Sequence, residues 1–118
     1  MAQKNSLSPY SIFNDPAYWN GTVGSYRPDR QGVGYRDFTE INDVRAQYIL
    51  SKKPQSVLDL GCGGNYLAAR LRKWGVDAWG IDISSYAKEH FCPPEVKDYF
   101  VVGNIADMSM FQDGQFDV

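Results

Sequence analysis

Two cysteines and a single histidine are all the thiol and imidazole ligands in this 118-residue chain. Neither Cys62 nor Cys92 lies in a C-x-x-C pair, and a zinc site needs about four ligands, so no metal is expected. Cys62 sits inside a glycine cluster, where a disulfide would distort the turn, and both cysteines read as free thiols of a reducing compartment. An excess of basic charge is missing too. Twelve Lys and Arg against 14 Asp and Glu leave a formal net charge of −2. That balance argues against a general DNA-coating protein, though not against a nucleic-acid substrate held at a local patch. No window approaches the roughly 20 apolar residues of a membrane span, and the N-terminus has no apolar core of signal-peptide type. The expectation is a cytoplasmic protein with no membrane partner.

What is present is ordinary globular material. A hydrophobic content of 43% and a charged content of 22% suit one small domain. Residues 1–36 form an irregular arm rich in Asn, Ser, Gly and Pro, with aromatics at Tyr10, Phe13, Tyr18, Trp19, Tyr26 and Tyr35. So many rings are expected to pack on something, the domain or a ligand. Asp15 before Pro16 signals a short helical turn reaching Trp19.

Residues 37–118 read as the domain proper. A helix is expected from Asp37 to about Lys53, opened by the capping-box spacing of Asp37 and Glu40. Phe38, Ile41, Val44, Tyr48 and Ile49 give it one apolar face, and Pro54 stops it. Ser56–Leu60 is a short apolar strand. Tyr66–Trp74 is a helix with Leu67, Ala68, Leu71 and Trp74 on one side, closed by Gly75. Ala78–Ile83 is a second strand, carrying Asp82 at its end. Ser84 to about Phe91 is a short helix, Tyr99–Val102 a third strand, and "FQDGQFDV" a turn into a fourth. Alternation of strand and helix implies an α/β fold with a parallel sheet and right-handed crossovers.

In such a sheet ligands bind beyond the carboxyl ends of the strands. After the first strand comes "DLGCGGN", residues 59–65. Gly61, Gly63 and Gly64 remove Cβ atoms that would block a ligand, and Asn65 tolerates the left-handed region. The following helix points its N-terminus at the ligand, favouring a negative group. A dinucleotide G-x-G-x-x-G read from Gly61 fails at Tyr66, and the Gly-Lys-Ser/Thr of a P-loop is absent. Asp82, ending the second strand, is placed to accept from both hydroxyls of a ribose.

These segments resemble the class I S-adenosylmethionine-dependent methyltransferases. "VLDLGCGGNYLAARL" is similar to their first motif, D/E-x-G-x-G-x-G. "GIDIS" resembles the second, with Asp82 as the ribose acid. "VVGNIADMSMFQDGQFDV" resembles the stretch that meets adenine and opens strand four. The resemblance runs from about Val57 to Val118 and implies a Rossmann-like three-layer α/β/α fold. It implies S-adenosylmethionine as cofactor, with S-adenosylhomocysteine as product. The methionine moiety would lie over the turn of Gly61, Cys62, Gly63 and Gly64, with Asp59 nearby. The ribose would lie on Asp82, and the adenine between Ile83 and the backbone of Asn104 and Ile105. Two positions depart from the pattern. Asn65 stands where the third glycine is usual, and Asn104 stands for the acid of the adenine segment, accepting without charge. In this family the segment before the first motif often folds over the cofactor, so Tyr18, Trp19, Tyr26 or Tyr35 could cover it and Arg27 or Arg36 reach its carboxylate.

Plainer roles compete. Asp59 can cap the glycine turn, Asn104 can hold its own turn, Cys62 can be a small filler, His90 a solvent-facing residue at a helix end, and Asp117 a residue that caps or orients strand four. The family sheet has about seven strands, of which three and the start of a fourth are present. The chain therefore reads as the cofactor-binding half of a longer enzyme. A general base would follow strand four, so no catalytic residue is named. Another nucleotide-binding Rossmann enzyme, or a non-catalytic module binding the cofactor or a partner, remain alternatives. The methyl acceptor is not legible.

Overall fold

The computed structural model describes residues 10–20 and 34–118. The chain divides into two compact units, Met1–Tyr35 and Arg36–Val118.

In the first unit a 3-10 turn, Ser11–Asn14, leads into a one-turn helix, α1 (Pro16–Trp19). Asp15 starts it by accepting the Ala17 N–H at 2.9 Å, and Pro16 supplies a φ already set for a first helical position. Trp19 is buried. Its indole N–H donates to the Phe13 carbonyl at 2.6 Å, and its ring meets Tyr18 and Tyr35 edge-on. Within this unit the expected aromatic packing is aromatics on aromatics. Tyr26 and Arg27 lie outside the described residues.

The second unit begins with α2 (Thr39–Leu50), followed by β1 (Ser56–Leu60), α3 (Tyr66–Lys73), β2 (Asp77–Asp82), α4 (Ser85–His90), a 3-10 stretch Pro94–Tyr99, and β3 (Phe100–Val102). The sheet order is β1-β2-β3, all parallel, with Asp59 opposite Gly80 and Asp82 opposite Val102. The fourth strand is present in its first bonds. Val118 N–H donates to the Ser56 carbonyl and Leu58 N–H to the Val118 carbonyl, which is a parallel bridge on the free side of β1. Asp117 fixes that register from the side. Its carboxylate accepts the Gln55 and Ser56 N–H groups at 2.7 and 3.3 Å, so it caps the start of β1 and by the same bonds orients the fourth strand.

One face of the sheet holds the core. Val57 and Ala78 pack with Ala68 and Leu71 of α3, Ala46 of α2 and Val76, flanked by Ile49, Leu50 and Leu67. The opposite face is covered by the segment after β3, where Phe111 meets Trp79 and Phe116 edge-on.

Three expectations are corrected. The capping box of α2 does not form, because the Asp37 carboxylate is taken by Arg70 at 3.0 Å and by the Asn42 amide at 2.9 Å. Most of its apolar stripe also faces away from the core, Ile49 excepted. Ile41, Val44 and Tyr48 are exposed, and small Ala46 is the buried residue that lets α2 approach α3. Trp74, expected on the inner side of α3, is 75% exposed, since the helix ends at Lys73 and Gly75 turns the chain with φ +81°.

Candidate functional site

Asp59, Asp82 and the glycine turn lie at the carboxyl end of the sheet. Asp59 lies at the end of β1 and Asp82 at the end of β2. Gly103 N–H donates to the Asp82 carbonyl at 2.9 Å, which brings Asn104 and Ile105 beside that strand end. The turn of Gly61, Cys62, Gly63 and Gly64 folds back onto β2, with both the Gly61 and Cys62 N–H groups donating to the Ile81 carbonyl at 2.8 and 3.1 Å.

Asp82 ties turn and sheet together. One carboxylate oxygen accepts the Gly63 N–H and the other the Ser84 N–H, each at 2.9 Å. A carboxylate has about four lone-pair sites, so these bonds orient the group and leave acceptor capacity for a diol. Burial pushes the Asp82 acidity weaker, opposed by those backbone donors and by the Ile83 N–H. Ser84 then caps α4 by accepting the Ala87 N–H at 3.0 Å.

The glycines do two jobs. Gly61 is exposed, has φ +75°, and a Cβ placed on it would meet no atom within 4 Å. Its bare backbone therefore opens outward, as ligand approach requires. Gly64 serves the protein itself, because a Cβ there would lie 2.6 Å from the Tyr66 ring. Cys62 turns its side chain inward. It is buried, and burial, with Asp82, Asp59 and Cys92 nearby, pushes its thiol well above the ordinary range. His90, the last residue of α4, has a half-exposed side chain and stacks on Tyr86. Arg36 lies over the Phe38 ring at 4.9 Å.

Two residues of the site were not singled out in the sequence. Gly80, in β2, faces the turn so closely that a Cβ would lie 2.1 Å from Asn65 Oδ1 and 2.6 Å from the Cys62 Cβ and Sγ. A glycine inside a strand is the available signal, since it marks a close backbone approach. Arg45 of α2 is the other. Its positive charge acts on Asp59, partly offsetting the burial that pushes that carboxyl up to about 6, while Asp82 pushes the same way as burial.

A raised carboxyl pKa means the folded state binds the proton more tightly than the unfolded chain does. Asp59 therefore costs stability as pH rises from about 4 to 6, up to about 3 kcal/mol, and the cost is constant above that. Urea unfolding of Asp59→Asn against the native chain should show no difference near pH 4 and a stabilised variant above pH 6. A difference independent of pH would mean Asp59 titrates normally.

Comparison with known proteins adds the family. Residues 34–118 match the model of a methyltransferase domain family. The ubiquinone biosynthesis O-methyltransferase of Vibrio parahaemolyticus is 29% identical over 129 residues, covering 100% of this chain and 51% of that protein. The Aliivibrio fischeri protein of the same name is 33% identical over 90 residues, or 70% of this chain and 35% of its own length. Among solved structures, the bifunctional kinase-methyltransferase WbdD superposes with a TM-score of 0.53 at 30% identity, covering 78% of this chain and 23% of that one. The chain thus spans about half the length of the Vibrio relative or less of the others. A methyltransferase-type parallel sheet, an acid–glycine turn after β1 and an acid ending β2 agree with that match: the chain belongs to the methyltransferase domain family.

Proposed function

We propose that this chain is the cofactor-binding half of an S-adenosylmethionine-dependent methyltransferase acting on a methyl acceptor in a reducing, cytoplasmic setting. The observation that carries the reading is Asp82, held by the Gly63 and Ser84 N–H groups beside a turn whose Gly61 backbone is open. The residues fit the cofactor. Asp82 would accept from the ribose hydroxyls. Asp59, ionised for the most part at neutral pH, would face the ammonium end of the methionine moiety, and the Gly61–Gly64 backbone would lie against it. Ile83, Asn104 and Ile105 would border the adenine. When bound, S-adenosylmethionine supplies an electrophilic methyl group on a sulfonium. These residues hold the donor still, which is the main requirement of an in-line displacement.

Calorimetric titration with S-adenosylhomocysteine should give micromolar binding, and NAD should give none. Asp82→Ala should weaken the former at least tenfold, the scale of one or two charge-assisted hydrogen bonds. The melting transition of the variant without ligand separates a lost site from a lost fold. No binding of S-adenosylhomocysteine, or equal binding by a folded Asp82→Ala, would overturn the reading.

A further inference from the structure

The turn after β1 is fastened on both flanks. The Gly61 and Cys62 N–H groups donate to the Ile81 carbonyl, and the Asn65 side chain is tethered to the Val96 and Tyr99 carbonyls. Between them lie Gly63, whose N–H reaches the Asp82 carboxylate at 2.9 Å, and Gly64. The D/E-x-G-x-G-x-G pattern asks for glycine at positions 61, 63 and 65 and leaves position 64 open, and Gly64 has no left-handed φ to require it. Its cause is local. A Cβ there would lie 2.6, 2.7 and 3.1 Å from Cε2, Cζ and Cδ2 of Tyr66, which puts one edge of the ring within van der Waals range of the Gly64 main chain. Tyr66 is the first residue of α3, and a side chain there leans back towards the helix N-terminus, over the turn. Its own main chain is held as well. Arg70 donates to the Tyr66 carbonyl at 3.1 Å and pairs with Asp37 and Asp43.

We propose that Tyr66 is a positioning residue of the cofactor site: its ring edge seats the Gly63–Gly64 backbone so that the Gly63 N–H keeps the Asp82 carboxylate aimed at the ribose. The inference rests on the cofactor reading above and adds a residue that acts through the protein rather than on the ligand. Gly63 and Gly64 are buried while Gly61 is exposed. The ring therefore backs the closed half of the turn and leaves the open half to the ligand. Each residue of the pair also accounts for the other. A tyrosine at 66 demands a glycine at 64, and the backbone freedom that glycine brings is taken up by the ring.

The test is a set of calorimetric titrations with S-adenosylhomocysteine, each paired with a melting curve of the unliganded protein. Tyr66→Ala should weaken binding about fivefold, the worth of one ordinary hydrogen bond, while the domain stays folded, since alanine suits a half-buried first helical position. Tyr66→Phe keeps the ring edge and should recover most of that loss. Gly64→Ala alone should weaken binding to a similar degree, because the new methyl would displace the ring. In the Tyr66→Ala background the same methyl meets no ring, and there it should leave binding unchanged or improve it by stiffening the turn. A ring that merely supported the fold would not act through one carboxylate, so in an Asp82→Ala background Tyr66→Ala should cost no further affinity. Equal losses in both Asp82 backgrounds would overturn the proposal. So would a Gly64→Ala loss of the same size with and without the ring, or native affinity in Tyr66→Ala. Failure of the native chain to bind S-adenosylhomocysteine would instead remove the cofactor reading, and this inference with it.

Discussion

Gly80→Ala should be among the most damaging single-methyl changes this domain can take, costing about 3 kcal/mol, the upper part of the range for forced overpacking. The added carbon would lie 2.1 Å from Asn65 Oδ1 and 2.6 Å from Cys62 Cβ and Sγ. None of these atoms can retreat cheaply. Asn65 is fully buried with its amide tethered, and Cys62 is buried with its main chain bonded to Ile81. The strand cannot retreat either, because Gly80 is paired with Asp59 on one side and Phe100 on the other. The turn would have to lift off β2, which breaks the Gly63 N–H bond to Asp82 and misplaces the carboxylate proposed to take the ribose. Stability by urea unfolding and S-adenosylhomocysteine affinity should therefore fall together. Gly103→Ala is the control. Its Cβ would sit 3.5 Å from the Ile81 and Met110 side chains, an ordinary contact, and its unfolding midpoint should barely move. Equal stability of Gly80→Ala and the native chain would show that the turn does not rest on β2 through this contact.

The sequence was most legible where local punctuation decides structure. Asp15–Pro16, Ser84 and Gly75 mark element ends by their own side chains or by a left-handed φ, and each does so in the structure. The parallel order followed from short apolar runs alternating with helical ones, and Asp82 was legible because an acid at that strand end has one geometric consequence. Legibility failed where the outcome depends on a distant neighbour. The α2 periodicity reports that an apolar stripe exists, not what covers it, and the helix packs through Ala46 while Val44 is 67% exposed. The Pro94–Tyr99 turn has no period to read. Arg45 bears on Asp59 only through the fold, and Gly80 signals a close approach without saying to what. Asn65 was legible as a residue tolerating φ +64°, a mild departure from glycine. Its side chain does more than that.

Asn65→Ala should cost about 4 kcal/mol, and the reason lies 31 and 34 residues away. The side-chain NH2 donates to the Val96 carbonyl at 3.2 Å and to the Tyr99 carbonyl at 3.4 Å, so the first turn of α3 is pinned to the 3-10 stretch before β3. Both acceptors are carbonyls, which settles the amide orientation and turns Oδ1 toward Gly80. That oxygen has no hydrogen-bond partner. Removing the amide strands buried carbonyls, at about 1–3 kcal/mol for each group left unsatisfied, and alanine adds the strain of a left-handed φ, about 1 kcal/mol. Asn65→Gly removes the strain but not the loss, so it should fall about 1 kcal/mol short of the alanine variant. That ordering separates tether from backbone. If φ alone mattered, glycine would equal or exceed the native residue. Asn65→Asp sharpens the point by placing an oxygen against two carbonyls. Buried without donors, that carboxyl would be held protonated, so the folded state would bind the proton more tightly than the unfolded chain. Its deficit should be largest at neutral pH and shrink towards pH 4, by the same sign as Asp59. A urea series on the three variants at pH 4 and 7 reads all of this. A pH-independent Asn65→Asp deficit, or a glycine variant as stable as the native chain, would show that the amide is not the tether.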